Sequence, residues 1–165
     1  MMRGAGAMTM RSKSLQIPIA ELILQRDDML LIDCLHDCGA EYVEVGAKVA
    51  AHHPLVDEQR GMPAWVGIEM MAQAVSVFSG LELRAQGLPP RIGLLLGARL
   101  YEARVPFFRV EAGLKVRAVL SLRDTQGLGV FECTIRERDE LLARGQVKGF
   151  VPQDIDEFLR SGAYG

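Results

Sequence analysis

The stretch that decides the fold is HHPLVDEQRGMPAWVGIEMMAQAVSVFSG, residues 52–80. Between Pro63 and Gly80 the only ionisable residue is Glu69, and the remaining side chains are apolar or small on almost every face of a helix. A helix that is apolar all round is normally buried, and proline is well suited to the first helical position. The sequence therefore predicts a long central helix that begins at Pro63 and ends near Leu83.

A membrane span is the other structure that such an apolar segment could form. Glu69, Gln73 and two serines interrupt the segment, and it lacks the flanking basic clusters that orient membrane helices. We therefore expect a core helix and no membrane partner.

The composition of the whole chain is that of one globular domain. The 165 residues are 49% hydrophobic and 24% charged, and the formal net charge is -2, which offers no basis for nucleic-acid binding. Residues 1–14 show neither periodicity nor the apolar core of a secretory signal, so we expect a mobile leader, a single domain over residues 15–165 and a cytoplasmic location. The three cysteines are expected to be reduced.

Strand-like segments flank the helix on both sides. Two precede it, at residues 29–35 and 42–49, and four follow it, at residues 92–103, 111–124, 128–137 and 140–151. Because strands and helices do not alternate, a doubly wound parallel sheet is excluded. The pattern predicts an α+β fold in which one antiparallel sheet wraps around one long central helix. So small a sheet covers the helix incompletely, which favours a dimer.

The predicted helix carries a single polar seam. Glu69, Gln73 and Ser76 lie within about 60° of one another on the helix, and Trp65 lies one turn before Glu69. A buried carboxylate must find a partner or become neutral. Glu69 is therefore either an acid that can donate a proton to a leaving group or a structural glutamate paired with an arginine or a backbone amide.

Two histidines and the start of the helix supply the other candidate groups. His52 and His53 precede Glu69 by 17 and 16 residues, and histidine readily accepts a proton near neutral pH; the alternative is a solvated loop. No capping side chain precedes the helix, so the N–H groups of Ala64 and Trp65 could bind a carbonyl oxygen unless a loop carbonyl or water occupies them.

A third cluster resembles a metal site only superficially. Cys34, His36 and Cys38 alternate along a predicted strand and are expected to share one face. Because no fourth ligand follows at zinc spacing, we expect no metal.

The helix segment and the first strand region resemble those of a known family. PAWVGIEMMAQ, residues 63–73, resembles the helix motif of hotdog-fold 3-hydroxyacyl-(acyl carrier protein) dehydratases, where a proline precedes the catalytic acid by six residues and a glutamine by ten. LQRDDMLLID, residues 24–33, is similar to the family's first strand region, and the resemblance extends over about residues 17–152. The branch most similar is the ApeP-like one of aryl polyene biosynthesis.

The resemblance implies a hotdog fold and a dehydration reaction without a cofactor. A histidine would remove the C2 proton of a thioester bound to acyl carrier protein while Glu69 assists loss of the C3 hydroxyl, giving the trans-2-enoyl product. The histidine and the acid of one site would come from different subunits of a homodimer or heterodimer. The residues implied in substrate binding are Pro63, Ala64, Trp65 and Gln73.

This sequence departs from the family pattern in the histidine loop. The family places its acid 14 residues after the histidine and a glycine after the His-x-Pro run, whereas here the separations are 17 and 16 residues and Leu55 replaces the glycine. His52 fits the His-x-Pro order. Gln25 and Asp28 stand where the early motif has histidine and proline. Two alternatives therefore stay open: a catalytically degenerate hotdog subunit that supports an active dehydratase, and a thioesterase whose helix carboxylate activates water.

Overall fold

A computed structural model describes residues 16–152 and 154–161, so the predicted leader, residues 1–14, lies outside the described residues. Short 3-10 turns occur at Ile19–Glu21, Asp27–Met29 and Ala64–Val66. The helices are α1 (Gly67–Ala85) and α2 (Ile155–Arg160), and the strands are β1 (Cys34–Cys38), β2 (Tyr42–Lys48), β3 (Met62–Pro63), β4 (Leu94–Ala103), β5 (Phe107–Phe108), β6 (Gly113–Arg123), β7 (Leu128–Glu137) and β8 (Glu140–Phe150).

The sheet has six antiparallel strands in the order β1-β2-β6-β7-β8-β4, and it wraps around α1. This confirms the predicted α+β architecture, including the four strands after the helix. A separate two-stranded pair, β3 with β5, lies at the start of the helix. The sequence analysis did not predict this pair.

Helix α1 forms the centre of the core. Met71, Ala74 and Val77 are completely buried, whereas the helix face that carries Glu69 and Ser76 is half-exposed. By length and composition Ala64–Ala85 could cross a bilayer, but 61% of its apolar window is buried inside the fold, as in the core helix of a soluble protein.

The end of the helix agrees with the prediction, but its start does not. Gly87 has a φ of 72°, and Leu88 N–H donates to the Leu83 carbonyl at 2.9 Å, which is a Schellman-type ending. Pro63 was predicted to be helical, which is wrong: it pairs with Phe107 in the β3–β5 ladder and keeps an extended ψ of 133°. The chain then passes through the 3-10 turn into α1.

The first strand begins later than predicted. Asp27–Met29 forms a 3-10 turn, and Leu31 N–H bonds to the Gln73 side chain instead of a strand. The predicted start at residue 29 is therefore wrong, because β1 begins at Cys34, but its predicted antiparallel pairing with β2 is confirmed.

A bulge in β1 also overturns the predicted common face of Cys34, His36 and Cys38. Leu35 pairs with Val45, and Asp37 pairs with Glu44, the neighbour of Val45 in β2. His36 is therefore an extra residue in the ladder. The extra residue reverses the alternation, and Cys38 packs against the hydrophobic core.

Candidate active site

The site is built around a hydrogen-bonded pair on α1. The Gln73 side chain is completely buried, and its Nε2 donates to Glu69 Oε1 at 3.0 Å and to the Met29 carbonyl at 2.7 Å. Its Oε1 accepts a hydrogen bond from Leu31 N–H at 2.9 Å. Gln73 therefore joins the helix to the preceding loop and holds one oxygen of the Glu69 carboxylate.

Glu69 lies where two cavities meet, and among the described residues it alone lines both. The outer cavity is largely apolar and opens beside Trp65, whose side chain is 63% exposed. Its other walls are Asp28, Met29, Leu31, Leu55, Val66 and Ile68.

The inner cavity follows the half-exposed face of α1 towards strands β7 and β8. Ala72, Ser76 and Ser79 line its helix side, and Phe131 and Phe150 lie on its sheet side. A linear molecule that extends through both cavities would pass directly by the Glu69 carboxyl group.

The two histidines have different surroundings. His53 Nδ1 accepts a hydrogen bond from Leu55 N–H at 3.1 Å, so its Nε2 carries the proton and donates to the Asp28 carbonyl at 2.9 Å. Because Leu55 and Asp28 line the outer cavity with Glu69, the structure brings the His53 loop to the site.

His52 is exposed and interacts electrostatically with a different carboxylate, that of Glu111. The pKa of Glu111 is lowered mainly by its hydrogen bond from Lys48, and His52 makes a smaller electrostatic contribution. Within one subunit, His53 is therefore the histidine that is hydrogen-bonded to residues lining the outer cavity with Glu69.

The start of the helix provides one of the two expected N–H groups. The 3-10 turn has no side-chain cap, but Ala64 N–H donates to the Pro106 carbonyl at 3.0 Å because the β3–β5 pairing brings Pro106 beside it. Of the two alternatives left open for the Ala64 N–H, the structure shows the loop carbonyl as its partner. Trp65 N–H has no acceptor in the part of the chain that the structure describes.

Sequence reasoning missed Tyr101, Phe131 and Phe150, which reach the site from strands. The Tyr101 hydroxyl donates to the Ala64 carbonyl, and burial raises the pKa of Tyr101 to about 12. None of the three belongs to a motif, and only the sheet register places them near α1. Among the described residues, no three His, Cys, Asp or Glu side chains are grouped so that they could hold a metal ion.

Comparison with known proteins places this geometry in a family. A sequence model of the ApeP-like family, described as ApeP dehydratase, matches residues 17–160. The chain belongs to the ApeP-like dehydratase family. Its expected assignment as a dehydratase, a lyase, is thereby confirmed. A search of curated proteins found no match.

One solved dehydratase structure supports the same assignment, and other solved structures share the fold. The dehydratase heterocomplex ApeI:P from Xenorhabdus doucetiae aligns with a TM-score of 0.81 and 25% identity, covering 88% of this chain and 97% of that one. The PaaI protein of the Escherichia coli phenylacetic acid degradation operon aligns with a TM-score of 0.54 and 14% identity, over 70% of this chain and 80% of that one.

A putative thioesterase from Shewanella oneidensis is similar to the same extent, with a TM-score of 0.54 and 13% identity over 72% of this chain and 82% of that one. At this identity the likeness shows a shared fold alone. The predicted hotdog fold is confirmed, and the chain is a hotdog member of the ApeP-like dehydratases.

Proposed function

We propose that this ApeP-like chain dehydrates a 3-hydroxyacyl thioester carried by acyl carrier protein, giving the trans-2-enoyl thioester in a pathway of the aryl polyene type. The observation that carries the proposal is the place of Glu69 at the junction of the two cavities. The acyl chain would occupy the inner cavity along α1, and the thioester would lie in the outer cavity beside Trp65. The C3 hydroxyl then lies at the carboxyl group.

The reaction needs one proton acceptor and one proton donor. A base removes the C2 proton, the electrons of the C2–H bond form the C2=C3 double bond, and the C3–O bond breaks. Glu69 protonates the leaving hydroxyl, which departs as water. Because Gln73 occupies Oε1, the Oε2 atom, which has no hydrogen-bond partner among the described residues, faces the substrate. Trp65 N–H binds the thioester oxygen, on which negative charge develops.

Two residues expected to touch substrate take supporting positions in this proposal. Gln73 is buried behind Glu69 and orients it. The Ala64 N–H donates to the Pro106 carbonyl and anchors the turn. The Trp65 N–H is then the group that binds the thioester oxygen.

His53 or His52 is the proposed base. The loop that carries His53 lines the outer cavity. His53 Nε2 would accept the C2 proton once the imidazole has released the Asp28 carbonyl and moved its own proton to Nδ1. His52 is exposed and free to act in the site of a partner subunit, as the family resemblance implies for a dimer.

A partner subunit has an evident place to bind. β4 is an edge strand of the six-stranded sheet, and Leu95, Leu96 and Leu100 are exposed on it. The solved relative is a heterocomplex of two proteins. We propose that β4 pairs with a second hotdog subunit, either a copy of this chain or a different one.

One observation favours a second candidate function. Both ring nitrogens of His53 are engaged by backbone groups in this conformation, and a histidine held in this way cannot accept the C2 proton. In that case the chain supports an active partner dehydratase and supplies no base of its own.

Mass spectrometry of the carrier protein tests these functions. The full chain, alone and with a second hotdog dehydratase, is incubated with 3-hydroxyacyl carrier protein. Loss of one water by the chain alone supports the proposal, free carrier thiol identifies a thioesterase, and a change only in the partner's activity identifies an accessory subunit.

Histidine variants in the same assay name the base. His52→Ala and His53→Ala are compared with His36→Ala, a change of an exposed histidine on β1. The variant that abolishes water loss identifies the base, whereas full activity in both would show that neither histidine removes the proton.

A further inference from the structure

We infer that Tyr101 is a positioning residue that sets the orientation and donor strength of the Trp65 N–H by holding the Ala64 carbonyl. The inference rests on the proposed function, because it concerns the group that would bind the thioester oxygen. It assigns a role in the reaction to the edge strand β4, which lies outside the helix motif.

The Tyr101 hydroxyl reaches the helix start through space left by two glycines. It donates to the Ala64 carbonyl. A Cβ atom on Gly67 would lie 2.4 Å from the Tyr101 hydroxyl oxygen, and a Cβ atom on Gly145 would lie 3.2 Å from Cδ2 of the ring. Larger residues at these two positions would displace the phenol from the carbonyl.

A bulge in β4 directs the ring inward. Arg99 pairs with Gln146 and Glu102 with Arg144, so that Leu100 and Tyr101 together lie opposite Gly145. Leu100 has a φ of 55° and is 81% exposed, whereas Tyr101 is half-buried. β-Bulges commonly re-aim one side chain in this way. A strained non-glycine residue is thus kept at the point where β4 reaches the site.

The peptide unit explains how a contact with Ala64 acts on Trp65. The Ala64 carbonyl and the Trp65 N–H belong to one trans peptide, so the two groups point in opposite directions. The Ala64 carbonyl accepts hydrogen bonds from the Tyr101 hydroxyl and from Gly67 N–H, so the Trp65 N–H points away from these two donors. Trp65 itself lines the outer cavity. The hydrogen bond from Ala64 N–H to Pro106 limits rotation of the turn.

The hydrogen bond from the Tyr101 hydroxyl to the Ala64 carbonyl also strengthens the Trp65 N–H as a donor. Hydrogen bonds in series polarise one another, so a donor at the Ala64 carbonyl makes the Trp65 N–H a better donor. Burial raises the pKa of Tyr101 to about 12, and the hydroxyl remains protonated throughout the neutral range.

Infrared spectroscopy of a bound thioester carbonyl tests the inference. The substrate is a 3-hydroxyacyl pantetheine thioester with a 13C carbonyl, bound to the full chain in its active assembly and in the Glu69→Gln background so that it stays intact. Binding is expected to lower the carbonyl stretching frequency, and Tyr101→Phe is expected to remove at least half of that shift. With Glu69 intact, Tyr101→Phe should lower kcat roughly tenfold and change KM less than about threefold, a smaller loss than removal of an oxyanion donor itself.

The matched control is Tyr42→Phe, which removes a hydroxyl bonded to Asp37 at 2.9 Å, away from both cavities. It should leave the carbonyl shift and kcat unchanged. If Tyr101→Phe fails to fold, 2,3-difluorotyrosine at position 101 keeps the ring and provides a stronger donor, and the carbonyl shift should increase.

The outcomes separate this inference from the proposed function. The role of Tyr101 would be overturned, without affecting the proposed function, if Tyr101→Phe left both the dehydration rate and the carbonyl shift unchanged. A carbonyl shift unchanged by fluorination of Tyr101 would have the same meaning. A wild-type chain that neither dehydrates the substrate nor shifts its carbonyl in any assembly would overturn both.

Discussion

At the scale of single residues, Gln73 decides whether Glu69 is held in place. Gln73→Leu keeps a similar volume but leaves Leu31 N–H and the Met29 carbonyl without the buried amide that partners them. A buried polar group left unpaired costs about 1–3 kcal/mol. Because Met29 is exposed and Leu31 half-buried, water can replace part of the lost bonding, and we expect a loss of roughly 1–2 kcal/mol in the free energy of unfolding by urea.

The matched control for this change is Gln146→Leu, which removes a hydrogen bond to Glu132 between exposed side chains of neighbouring strands. It should alter the free energy of unfolding by less than about 0.5 kcal/mol. Equal effects of the two changes would contradict the role assigned to Gln73.

The sequence was sufficient to select Glu69 and Gln73 but not to define what each does. A spacing of four residues places both on one helix face, and this holds in the structure. The amide's other partners are backbone groups 42 and 44 residues distant in the chain. No periodicity reports contacts of that range, so the supporting role of Gln73 became visible only in the fold.

At the scale of elements, Gly80 governs how closely α1 approaches the segment before β1. Alanine normally favours a helix over glycine by about 1 kcal/mol. Here a Cβ atom would lie 2.2 Å from the Leu22 carbonyl oxygen, a backbone atom that cannot move aside cheaply. We therefore predict the opposite sign, a loss of about 1–3 kcal/mol in thermal or urea unfolding of Gly80→Ala.

Gly113→Ala serves as the control, because nothing lies within 4 Å of the added carbon and the residue has no positive φ. Its free energy of unfolding should change by less than about 0.5 kcal/mol. Stabilisation by Gly80→Ala would show that the helix does not approach Leu22 this closely.

Elements with strong patterns were predictable, and their irregularities were not. An apolar segment with a single ionisable residue predicts a buried helix, and β-branched runs between turn residues predict the strands after it. The bulges in β1 and β4 each add one residue to a ladder. An extra residue leaves no mark in composition or alternation. For this reason the predicted strand face of Cys38 was wrong, and Tyr101 was not recognised as a site residue.

At the scale of the whole molecule, the open edge at β4 predicts association. Leu96 is 50% exposed on this strand, and we expect Leu96→Asp to convert a dimer into a monomer because a charge would be buried beside the paired strands. Light scattering coupled to size-exclusion chromatography measures the change.

Leu122→Asp is the comparison for the whole-molecule prediction. Leu122 is 61% exposed, but it belongs to β6, an interior strand of the sheet, and it pairs with Val130 of β7. This variant should remain dimeric. A Leu96→Asp protein that keeps the wild-type mass would place the interface elsewhere.

The central claim is that Glu69 donates the proton to the departing hydroxyl. The most direct test is the single-turnover rate of water loss from 3-hydroxyacyl carrier protein with the wild-type chain and with Glu69→Gln, both in the active assembly. Exposed Glu58→Gln in the loop before β3 is the control. We predict a fall of about 100-fold or more for Glu69→Gln, the usual contribution of a general acid, and no change for Glu58→Gln. A rate for Glu69→Gln within about threefold of the wild type, in a protein that folds normally, would contradict it.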